Sequence, residues 1–156
     1  MLVTTPRRPV EVRTNRRQQA RQLYHRLAEP IPTRWAVWGI VALVGSNIAA
    51  GLLEPVPANP NAPEPWLVSL FTTVAVLAML PALGGLVVRR RWGMALSLFA
   101  AAVAVVLVVG CPLSGHHHFG LWWVGEATGM VAWAAVSIAG LGCPQDSRRA
   151  AKTTWR

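Results

Sequence analysis

Four unbroken apolar runs, at residues 35–53, 66–88, 93–110 and 121–141, dictate how this chain can fold. Together they contain a single charged residue, Glu126. At a rise of about 1.5 Å per residue each reaches roughly 27–35 Å as a helix, enough to cross a hydrocarbon core of about 30 Å. Inside lipid the backbone must satisfy its own hydrogen bonds, which leaves helices as the solution for separate runs of this length. The third run ends in valines that locally resemble a buried strand. Its unbroken length favours a spanning helix instead. The pattern therefore predicts an all-α integral membrane protein, a four-transmembrane-helix bundle.

A chain of 156 residues has room for one domain, and 53% hydrophobic residues with 13% charged is a membrane composition. The net charge of +9 would raise nucleic acid as a partner in a soluble protein. The placement of the charge answers differently. Eight basic residues fall in 1–34, three in 89–92 and four in 142–156, while 54–65 and 111–120 have none. By the positive-inside rule the three basic segments lie on the cytoplasmic side, so both termini are expected in the cytoplasm of a plasma-membrane protein, with no nucleic acid as partner.

Between the runs, residues 1–34 form a basic tail. Within it Ala20, Leu23, Tyr24 and Leu27 recur at helical spacing among arginines, which fits either a helix lying on anionic headgroups or a disordered basic tail. Pro30 and Pro32 end any helix there. Residues 54–65 hold five prolines and form an extended outer loop. Pro81 and the pair Gly84-Gly85 are expected to kink the second span. Arg89, Arg90 and Arg91 make a tight turn, and Ser46 and Asn47 read as interhelical hydrogen-bonding groups. In the fourth run, Gly125 and Gly129 have the small-xxx-small spacing that lets another helix pack close. Cys111 and Cys143 fall at opposite ends of spans about 30 Å long, too far apart for a bridge within one chain.

The loop at 111–120 gathers the chemistry: Cys111, then His116, His117 and His118, with Glu126 just beyond. Thiolate and imidazole are ligands for zinc, copper and iron centres, so zinc, copper or haem are the cofactors to consider. In an extended chain His116 and His118 share a side and His117 points away. A metal site here would use Cys111, His116 and His118, with Glu126 as a fourth ligand or as an acceptor orienting an imidazole. A fourth helix starting at His118 would also align His118, Trp122 and Glu126 on one face. The competing reading is an ordinary interface of histidines and tryptophans with Glu126 reaching toward the headgroups.

No phosphate-binding glycine loop, nucleophile elbow, HExxH or CxxC is present, which points away from an enzyme. The residues leave three readings. An accessory or assembly component, bound to other membrane protein subunits of a larger complex, is favoured. A metal- or haem-handling protein and a small oligomeric transporter are the alternatives.

Overall fold

The computed structural model describes residues 10–55, 65–114, 117 and 120–143. Among the described residues it holds five helices and no strand. Helix α1 covers Val10–Ala28, α2 Thr33–Leu53, α3 Trp66–Val87, α4 Arg91–Leu113 and α5 Leu121–Gly142. The last four are each long and apolar enough to cross a membrane, and the chain is a small multi-pass membrane protein. They form an up-and-down bundle in which α4 packs on α3 and α5, and α5 packs on α2. The α2–α3 side is the most loosely closed.

Burial differs from that of a protein dissolved in water, because small residues crowd the buried faces beside a few large ones such as Leu86, Met94 and Trp133. Small residues face inward, as with Ala36 and Gly39 on α2, Ala75, Ala78 and Ala82 on α3, and Ala100, Ala101 and Ala104 on α4. Large apolar residues such as Val37, Val41, Val44, Ile48 and Leu52 face outward along α2. Lipid solvates that outer surface, so packing depends on how closely the backbones approach.

The closest approach is at the basic end. A methyl group added to Gly93 would run into the Gly85 carbonyl carbon, so α3 and α4 touch backbone to backbone there. The turn between them is built to match. Arg89 takes the left-handed conformation at φ 54°. Its N–H donates to the Leu86 carbonyl at 3.0 Å, and the Arg90 N–H donates to the Gly85 carbonyl at 2.8 Å. This is a Schellman closure, with arginine where glycine is usual.

The arginine side chains then tie three other helix ends to this turn. Arg89 donates to Thr33 Oγ1 at 2.7 Å, Arg90 to the Ala28 carbonyl at 2.6 Å, and Arg91 to the Cys143 carbonyl at 2.9 Å. The Arg91 guanidinium also lies 3.7 Å from the Glu29 carboxylate. Backbone bonds from Ile31 N–H to the Arg89 carbonyl and from Arg91 N–H to the Glu29 carbonyl complete the junction. Helix termini carry orphan carbonyls, and two of these bonds satisfy carbonyls at the ends of α1 and α5. The turn that the sequence marks only as a charged stop is the clasp of the bundle.

Above the clasp, Met94 fills the notches left by Gly39 and Gly140. Next, Trp133, fully buried, donates its indole N–H to Ser97 Oγ at 2.8 Å, Ser97 lies 3.1 Å from Ser137 Oγ, and Ser137 donates to the Trp133 carbonyl. Every polar atom of this cluster has a partner, as a water-free interior requires. Gly125 and Gly129 do admit a close helix, but that helix is α2 of the same chain: Ser46 Oγ donates to the Gly129 carbonyl at 3.0 Å, and Leu53 lies over Gly125.

One boundary differs most from expectation. The third span runs on through Cys111 and Pro112 to Leu113, rather than ending at 110. Pro112 has no N–H for the Val108 carbonyl, and the Trp123 indole supplies one at 2.8 Å, joining α4 to α5. The fourth helix begins at Leu121, where the run at 121–141 places it, so the alternative alignment that needed a start at His118 does not apply.

If the clasp rests on the Gly85–Gly93 approach, Gly93→Ala will destabilise the bundle by about 2 kcal/mol or more, because the two backbones must separate. Gly84→Ala, with nothing within 4 Å of the added methyl, will be close to neutral. Reversible unfolding of both variants in mixed micelles measures the difference, and equal effects would contradict the packing described.

Candidate functional site

At the other end the helices part. A cavity of about 330 Å³ lies there, reached by residues of all four spans. Its walls are largely apolar, from residues such as Ala75, Met79, Ala104, Val108 and Met130. The polar groups are few: Asn47 and Glu54 from α2, Thr72 from α3, Cys111 from α4, and His117 and Glu126 from the loop and α5. No lysine or arginine lines it among the described residues.

Each polar group is positioned by local chain chemistry. Glu54 is the residue on which α2 stops, its N–H still bonded to the Ala50 carbonyl, and Pro55 then blocks another turn. Its carboxylate Oε1 lies 3.2 Å from His117 Nε2. The His117 ring, 3% exposed, sits edge-on to Trp122 with ring centroids 5.5 Å apart. Asn47 donates to its own helix at the Leu43 carbonyl, 2.7 Å away, rather than to another helix. Cys111 occupies the last turn of α4, where its carbonyl accepts a hydrogen bond from Ser114 Oγ.

Glu126 stands apart. It lies about 7 Å below the start of α5, counting 1.5 Å per residue, and is 7% exposed. Among the described residues its carboxyl has no hydrogen bond and no salt bridge. An ionisable group at that depth is costly unless a partner meets it.

The structure thus brings Cys111 and Glu126 to one cavity, as a metal site would need. His116 and His118 lie outside the described residues. His117, expected to point away, turns inward instead, because the start of α5 places Trp122 and the end of α2 places Glu54 to receive its ring. Among the described residues no three His, Cys, Asp or Glu side chains converge to hold a metal ion. The contributions of Glu54, Asn47 and Thr72 to the site were not apparent from the sequence. The only signal for Glu54 was a carboxylate at the exact end of an apolar run, on the same side as the histidines.

Fold and site together define a four-span membrane protein, clasped at its basic end, with a polar-tipped apolar cavity at the other. No family model, curated protein or solved structure matches the chain. Its own geometry therefore carries the functional argument.

A buried carboxyl with no partner should weaken the empty protein. Glu126→Leu is expected to stabilise it by about 1–2 kcal/mol, less than the roughly 2.5–3.5 kcal/mol assigned to a charge at the bilayer centre, because Glu126 is nearer the interface. Unfolding in mixed micelles checks the sign. A loss of stability would mean that the carboxyl makes structural bonds.

Proposed function

We propose that this protein binds a small solute inside the membrane, in the outer half of its bundle, and that binding is the core of its activity. The observation that carries the reading is Glu126: buried, without a partner among the described residues, and set in the wall of a 330 Å³ cavity. Small-molecule sites combine this kind of apolar wall with a few convergent polar groups, and this cavity lies at the small end of their usual size range. Of the classes open to the sequence, the small transporter is the nearest. The accessory role loses one of its motives, because the Gly125/Gly129 face that would receive a partner subunit receives α2.

On this reading the one-sided basic charge orients the protein by the positive-inside rule. The cavity faces the outer side of the plasma membrane, both termini are cytoplasmic, and the tail with α1 rests on anionic headgroups. A second reading, a transition metal held by Cys111, His116 and His118 with Glu126 behind them, draws support from the shared cavity of Cys111 and Glu126. Elemental analysis of protein purified without chelators separates the two.

The binding reading is tested by filling the cavity. Ala75→Phe and Ala104→Phe enter it from different helices. A panel of small aromatic solutes, cationic, neutral and anionic, is followed by thermal unfolding in detergent. At least one is expected to raise the wild-type midpoint by about 3–5 °C at tenfold excess over its Kd, and neither filled variant should respond. No response from wild type, or the same response from the filled variants, would contradict the reading.

A further inference from the structure

We infer that the solute is an organic monocation, an amine or quaternary ammonium with an apolar body, whose charge is met by the Glu126 carboxylate. This rests on the reading of the cavity as a binding site and names what enters it.

Charge is the first argument. Two carboxylates, Glu54 and Glu126, line the cavity with no lysine or arginine among the described residues to oppose them. Among the described residues His117 is the only basic side chain in the lining, and it lies 3.2 Å from Glu54, the carboxylate nearer the surface. Glu126 is left with no hydrogen bond or salt bridge among the described residues. An anionic solute would add repulsion, and a neutral one would leave the carboxylate without a counter-charge in a medium where that is costly. A cation removes the cost.

The kind of cation follows from the donors. A divalent metal ion must replace most of its water shell with several ligands at fixed distances. No three acidic, thiol or imidazole side chains converge here among the described residues. An alkylammonium is more weakly hydrated and needs a single counter-charge with apolar contact around the rest of its surface. The walls provide that contact: small Ala104 leaves room, and the Trp122 indole offers an aromatic surface of the type that attracts ammonium groups. A volume of about 330 Å³ accommodates a solute with one ring.

The test uses the full-length protein in nanodiscs of phosphatidylcholine, so that lipid charge does not bias the result. Three probes of similar size are titrated by calorimetry: benzyltrimethylammonium, benzyl alcohol and phenylacetate. The inference predicts that the ammonium binds at least tenfold tighter than the alcohol and that phenylacetate does not bind. In Glu126→Gln the ammonium should lose about tenfold in affinity while the alcohol is unchanged, so the preference for charge collapses. Glu54→Gln, one partner of the imidazole pair, should retain most of that preference. If the alcohol binds as tightly as the ammonium, or if Glu126→Gln keeps the preference, the cation assignment is overturned while the cavity remains a binding site. If zinc binds stoichiometrically and displaces the ammonium, the assignment is overturned in favour of a metal. If wild type binds none of the three, the underlying binding-site reading fails with it.

Discussion

The contact of the Gly85 and Gly93 backbones is the fixed point of this bundle. It brings α3 and α4 together at one end, and the Schellman turn beside it sets Arg89, Arg90 and Arg91 facing in three directions. Those three side chains reach the end of α1, the start of α2 and the end of α5. With that end clasped and Met94 seated between Gly39 and Gly140, the interior space lies at the other end. The cavity is thus a consequence of where the small residues and the arginines are placed.

Polar bookkeeping in a solvent without water explains much of the rest. The Val108 carbonyl that Pro112 cannot serve takes the Trp123 indole, the Ser97–Ser137–Trp133 cluster closes on itself, and Ser46 finds the Gly129 carbonyl. Among the described residues, the Trp35 indole N–H and the Arg91 Nε–H are also buried without a hydrogen bond, but Glu126 is an acidic group left so in the wall of a cavity. Interiors of this kind leave polar groups unmatched at functional sites more often than elsewhere, because the missing partner is supplied by what binds.

The spans could be read from the sequence to within two or three residues, because hydropathy sums over a whole run and a few misassigned residues do not alter it. The one boundary that moved most, at Cys111, moved because a proline that interrupts a helix's hydrogen bonding was compensated by Trp123, a residue of the next span. Side-chain direction was less legible. Extended-chain alternation sent His117 outward, whereas contacts with Trp122 and Glu54, distant in sequence or set by the helix start, hold it inside. The spacing of Gly125 and Gly129 announced a close helix but could not say that the helix belonged to the same chain. The arginine turn announced charge, and only the fold shows which helix ends it holds.

On the proposed reading the Glu126 carboxyl itself meets the bound cation. Infrared difference spectroscopy on protein carrying ¹³C-labelled glutamate reads that group directly as benzyltrimethylammonium is added. A carboxyl band is expected to shift on binding in wild type and to be missing in Glu126→Gln. A glutamate spectrum that stays unchanged while calorimetry shows the ammonium bound would contradict it.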